Sequence, residues 1–187
     1  MKTYFISDTH FHHKNILRYE PSRLDALKDF LGVDLGSFTD DEENQETLLK
    51  AHDDMLIKNW NDVVKGDDFV WFLGDLCCCG KERAREITSR LNGRKRMIKG
   101  NHDVWSDDFY RSLGFEYVSK YPVVLKKKFI LSHAPLDNES TQFYNIYGHI
   151  HLEHCKHIPT KTDFSQCVCV ERQNFKPIRI EEFDKAS

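Results

Sequence analysis

Short apolar runs separated by polar, turn-rich segments dominate the chain. Eight of them have the length and the β-branched or aromatic content of strands: Thr3–Ser7, Phe69–Leu73, Lys95–Lys99, Tyr121–Leu125, Phe129–Ser132, Phe143–Tyr147, Cys167–Val170 and Pro177–Ile180. Three stretches show helical spacing instead. One follows Thr39, with Asp40, Asp41, Glu42 and Glu43 where acidic groups suit a helix N-terminus, and continues through Leu48, Leu49, Met55, Leu56 and Trp60. Another runs from about Lys81 to Leu91 and is closed by Asn92-Gly93; the third starts near Ser106, with Asp107 and Asp108 in its first turn. Strand and helix alternate in the N-terminal half, whereas the C-terminal half is mostly strand. That order predicts an α/β layered fold in which two β-sheets pack together between helices.

The pattern is least regular between Glu20 and Asn44. A short amphipathic piece (Leu24, Leu27, Phe30, Leu31) gives way to Gly32 and Gly36 in turn-like surroundings. Neither an internal repeat nor an interdomain linker interrupts the chain. One domain over residues 1–187 is therefore expected, with 20–44 as a surface excursion or a lid.

Composition narrows the class. With 187 residues, 40% hydrophobic and 30% charged, the chain suits a folded domain of ordinary size. No apolar run approaches the roughly 20 residues of a membrane helix. The start, Met1 to Asp8, meets a charge too early for a signal peptide, so a cytoplasmic protein is expected. A net charge of −3 gives no global attraction to nucleic acid or anionic membrane, and Arg94–Arg96 and Lys126–Lys128 read as solvated charges. Three of the six cysteines are adjacent (Cys77, Cys78, Cys79), a poor disulfide framework. Cys155 and His157 followed by Cys167 and Cys169 have a faint zinc-site spacing, but the latter two fall in a strand and read as core. All six are taken as structural.

Five polar stations change the picture, because each ends an apolar run. They are Ser7-Asp8-Thr9-His10, Gly74-Asp75, Gly100-Asn101-His102-Asp103, Ser132-His133 and Gly148-His149-Ile150-His151. Residues two apart in extended chain point the same way, so Asp8 with His10, and His149 with His151, can each address one ion. The C-terminal edge of an α/β sheet is also where ligands collect. One such station is weak. Five at one rim would leave imidazoles and carboxylates poorly compensated without cations. Mixed oxygen and imidazole donors suit Mn, Fe, Zn, Ni or Co better than calcium.

These ordered motifs resemble those of the calcineurin-like metallophosphoesterase superfamily, over residues 6 to 151. The resemblance implies a four-layer α-β-β-α sandwich: two β-sheets face to face, flanked by helices. It implies two divalent metal ions, manganese first. Asp8, His10 and His151 would hold one, Asn101, His133 and His149 the other, and Asp75 would bridge both. A hydroxide generated between the metals would attack phosphorus in line, and His102 would protonate the leaving oxygen, with Asp103 as a helper or only a helix-start acid.

Departures from the pattern refine the branch. Where protein phosphatases of the superfamily continue Gly-Asp-x-x-Asp-Arg-Gly, this chain has Gly74-Asp75-Leu76-Cys77-Cys78-Cys79-Gly80. A small bacterial- or phage-type branch is more similar, although His12 stands where it commonly has glycine. The expected function is hydrolysis of small-molecule phosphomonoesters or phosphodiesters, with nucleotides among the candidates. A nuclease of the same chemistry is the alternative, disfavoured by the acidic charge and the lack of an aromatic-plus-basic track. A non-catalytic scaffold would have broken ligands, and every ligand type is present here.

Overall fold

The computed structural model describes residues 1–32, 42–137, 142–153 and 155–183. The first sheet contains β1 (Thr3–Ile6), β2 (Phe69–Phe72), β3 (Arg94–Ile98), β4 (Phe115–Ser119) and β9 (Ile178–Arg179), in the order β4-β3-β2-β1-β9. Its first four strands run parallel, and β9 closes the edge antiparallel to β1. The second sheet, β5 (Val123–Leu125), β6 (Phe129–Leu131), β7 (Tyr144–Tyr147) and β8 (Ser165–Cys167), has the order β5-β6-β7-β8.

Strand alternation explains why the first sheet is apolar on both faces. Tyr4, Ile6, Val70, Phe72 and Met97 point to one side and join a cluster with side chains from α1 (Ile16–Tyr19), α2 (Pro21–Leu31), α3 (Glu42–Val63), α4 (Lys81–Ser89) and α5 (Asp107–Ser112). Phe5, Trp71, Leu73 and Ile98 point to the other and meet Phe129, Leu131, Tyr144 and Ile146 of the second sheet. The expected pair of sheets packed face to face with flanking helices is thus present. Among the described residues, α-helical side chains enter only the cluster on the first sheet's outer side.

The differences from the sequence reading are local and have physical causes. β4 was not expected: a register shift opposite Lys95 and Arg96 breaks its alternation, leaving Phe115 and Val118 buried and Glu116 and Tyr117 between them exposed. The run expected as a strand over Cys167–Val170 leaves the sheet early. Ser7 donates to the Val168 carbonyl (3.0 Å), and Val170 donates back to the Ser7 carbonyl (3.2 Å). A 3-10 turn, Val170–Arg172, follows. α5 begins as expected, with the Ser106 hydroxyl accepting from the Phe109 amide (3.3 Å). Within 20–44, the amphipathic piece is α2, anchored by buried Arg23 and Leu27. The rest of that expected excursion or lid, residues 33–41, lies outside the described residues.

Candidate metal centre

Asp8 and His10 follow β1, Asp75 follows β2, Asn101 follows β3, His133 follows β6, and His149 and His151 follow β7. The C-terminal ends of strands from both sheets therefore meet at one rim. Hydrogen bonds zip the first two loops together: Asp8 donates to the Gly74 carbonyl (2.9 Å), His10 to Asp75 (3.1 Å) and Phe11 to Leu76 (2.9 Å). Four of the ligand-type residues, Asp8, His10, Asp75 and His149, adopt left-handed φ between 45° and 68°. Such backbone costs on the order of 1–3 kcal/mol per residue and persists where the surroundings over-determine it. Asp and His, with short polar side chains, tolerate it better than branched residues.

Two groups of donors meet at the rim, Asp8, His10 and His151, and Asp75, His133 and His149; among the described residues a further group, Glu20, His151 and Glu171, shares His151 with the first. In the first, His10 Nε2 and His151 Nε2 face each other at 3.1 Å. His151 Nδ1 lies 3.0 Å from Glu171 Oε1 and, as the donor, leaves Nε2 a lone pair. The Nδ1 of His10 points at the Cys78 sulfur (3.8 Å). Asp8 Oδ2 accepts from the His149 amide (2.8 Å) and the Cys169 thiol (3.1 Å), whereas buried Asp8 Oδ1 has no protein partner. That oxygen is 3.5 Å from His151 Nε2 and 3.9 Å from His10 Nε2. In the second group, His133 Nδ1 bonds the Leu73 carbonyl (2.8 Å). His133 Nε2 then faces Asn101 Oδ1 at 2.9 Å and His149 Nδ1 at 3.1 Å.

Acceptors aimed at acceptors, around an orphaned carboxylate oxygen, are what a cation relieves. The residues present therefore fit two divalent ions. Asp75 lies between the groups: Oδ2 is 3.7 Å from His10 Nε2 and 3.5 Å from His133 Nε2, while Oδ1 accepts from the His102 amide (2.8 Å). Burial pushes the His10 imidazole far below its usual pKa, with the Arg23 charge acting the same way. Burial also lowers His149 and, outweighing neighbouring His133, raises Asp75.

The neighbours define several roles the sequence left open. Asp103 is buried and serves the loop: Oδ2 accepts from the Asp75 (2.7 Å) and Gly100 (2.8 Å) amides, and Oδ1 from the Leu76 amide (3.2 Å). His12 ties the first loop to α3, since its amide donates to Asp53 Oδ1 (2.8 Å) and its ring contacts Asp53 and Glu46, each at 3.1 Å. The Asp53 hydrogen bond raises its pKa. Cys167 and Cys169 are buried, as expected of core residues, but Cys169 also reaches Asp8. Cys78 is exposed beside His10, which revises the purely structural reading of the triplet. Sequence reasoning missed Arg23 and Glu171 altogether. The one available signal was an arginine on the apolar stripe of Leu24, Leu27 and Leu31.

A family model described as calcineurin-like phosphoesterase matches residues 1–178. An uncharacterized protein of Methanocaldococcus jannaschii is 35% identical over 186 residues, covering 96% of this chain and 88% of that protein. The Gene 66 protein of Mycobacterium phage L5 is 35% identical over 104 residues, 54% of this chain and 39% of that protein. A protein of unknown function from Aquifex aeolicus has a similar crystal structure, with a TM-score of 0.65 and 25% identity over 100% of this chain and 99% of that one.

Proposed function

The chain belongs to the calcineurin-like phosphoesterase family, and from that premise we propose that it hydrolyses small-molecule phosphomonoesters or phosphodiesters, nucleotides among them, at a dinuclear centre. The family makes it a metal-dependent phosphoesterase. The observation that carries the finer reading is the position of Asp75 Oδ2, within 3.7 Å of a nitrogen from each donor group. Asp8, His10 and His151 would hold one ion; Asn101, His133 and His149 would hold the other; Asp75 would be shared. Bound there, two divalent cations supply an activated water nucleophile and positive charge opposite the phosphoryl oxygens. Mixed oxygen and nitrogen donors accommodate manganese, iron, zinc, nickel or cobalt, and manganese is the first of these to test.

The chain's own contribution is positioning and proton transfer. His102 is exposed at the rim, with its ring centroid 5.3 Å from that of His10. Its amide is fixed by Asp75 and its loop by Asp103, so the imidazole overhangs the donors without being spent on them. It is the group that would protonate the leaving oxygen, a contribution of typically ~10²–10⁴-fold. Among the described residues, no helix is long and apolar enough to cross a membrane.

A panel assay tests this reading. Mn²⁺-loaded protein is expected to bind about two ions per chain and to cleave a nitrophenyl phosphomonoester or phosphodiester and at least one nucleotide. Cleavage confined to oligonucleotides would favour the nuclease alternative. Loaded protein inert to the whole panel would refute an enzymatic role.

A further inference from the structure

We propose that Arg23 and Glu171 are positioning residues for one of the two metal positions only, the one at Asp8, His10 and His151. The proposal rests on the dinuclear reading above. Arg23 enters from α2 and is completely buried. Its Nη2 donates to the Asp8 carbonyl (2.6 Å), its Nη1 to the Thr9 carbonyl (2.7 Å) and its Nε to Glu171 Oε1 (2.7 Å). The same Glu171 oxygen is 3.0 Å from His151 Nδ1. One guanidinium thus holds the backbone of the turn that presents Asp8 and His10 and, through Glu171, the third donor as well.

The chemistry of each partner fits that task. A planar guanidinium satisfies several fixed acceptors at once, which an ammonium group cannot do in the same geometry. A carboxylate on the far nitrogen of an imidazole fixes its tautomer, leaves the near nitrogen as a lone pair and makes it a better ligand. Arginine and glutamate are almost never fully buried unless paired, and here each is the other's counter-charge.

Among the described residues, the second donor group is steadied differently. His133 is oriented by the Leu73 carbonyl and Asp75 by the His102 amide, while the Asp103 carboxylate holds the Asp75 and Gly100 amides. The two positions therefore depend on different parts of the fold: one on α2 and the 3-10 turn at Val170–Arg172, the other on loops at strand ends.

Titration of metal-free protein with Mn²⁺, by calorimetry and by electron paramagnetic resonance, tests the asymmetry. Glu171→Gln and Arg23→Lys are each expected to weaken one of two sites by ~10–100-fold and leave the other unchanged. His149→Ala should weaken the opposite site. In the first two variants the coupled two-ion spectrum should give way to an isolated-ion signal at one equivalent. Arg23→Lys keeps the buried charge, so it carries the test if Glu171→Gln does not fold. Two unaltered sites in both variants, or equal weakening of both sites, would overturn the proposal alone. A wild-type chain binding fewer than two ions would overturn the dinuclear reading and this inference with it.

Discussion

His102 and Asp75 are joined by one hydrogen bond, from the His102 amide to Asp75 Oδ1, yet their side chains have separable tasks. His102→Ala keeps the amide, so metal content should stay at the wild-type level while turnover falls ~10²–10⁴-fold. Asp75→Asn replaces a shared anionic oxygen and should lower both. Elemental analysis beside turnover separates the cases; metal loss in His102→Ala would contradict its placement as a proton donor. His52 makes a second prediction, away from the donors. It is fully buried on α3 with both ring nitrogens unpartnered, and burial, then the Arg23 charge, hold its pKa well below 6.5. Above pH 6.5 both folded and unfolded forms are neutral and nothing is lost. Below it the unfolded chain takes up a proton that the folded one refuses, so stability declines as the pH falls towards the folded pKa, by up to ~1.4 kcal/mol per pH unit. His52→Leu should flatten the fall of Tm between pH 6.5 and 5; an unchanged slope in the variant would show that His52 is not the group responsible.

The loops that end β1, β2, β3 and β7 work because they approach each other without side chains in the way. A Cβ on Gly100 would strike the Asp75 carboxylate, the Asp75 amide and the His133 ring, and one on Gly148 would strike Asp8 and Ser7. Gly80, before α4, has nothing within 4 Å of the same position. Gly100→Ala should therefore cost ~1–3 kcal/mol, as overpacking does, and most of the activity. Gly80→Ala should melt close to wild type; similar melting of the two variants would show that the close approach does not matter. This level also shows how much the sequence could disclose. The sheets and the five stations were legible because strand ends, glycines and ligand-type residues share a local pattern. β4 was not, since its bulge hides the alternation and its burial is set by β3. Nor could Arg23, Asp103 and Glu171 be ranked from sequence, because their partners lie 14, 27 and 20 residues away at Thr9, Leu76 and His151. Local spacing identifies a donor; only the folded chain shows what holds it.

At the scale of the molecule, the rim is where the two sheets are tied together. Asp8, Asp75 and Asn101 come from the first sheet and His133, His149 and His151 from the second, with direct bonds from the His149 amide to Asp8 (2.8 Å) and between His133 Nδ1 and the Leu73 carbonyl (2.8 Å). Without cations the same rim gathers converging lone pairs, two carboxylates and four left-handed backbones, all of which oppose closure. Metal and fold should therefore be linked. Binding to the native chain alone adds ~2.7 kcal/mol per site at a free-metal concentration one hundred times Kd. For a domain of this size that corresponds to a rise in Tm of roughly 5–10 °C per site. Chelation should reverse the rise. It should also speed amide exchange at Gly148, His149 and His102, beside the rim, before it affects Val70 or Met97 in the core. A melting temperature that ignores both added Mn²⁺ and chelator would show that the cations join neither the sheets nor the fold, because converging donors of this kind cannot bind an ion tightly without being stabilised by it.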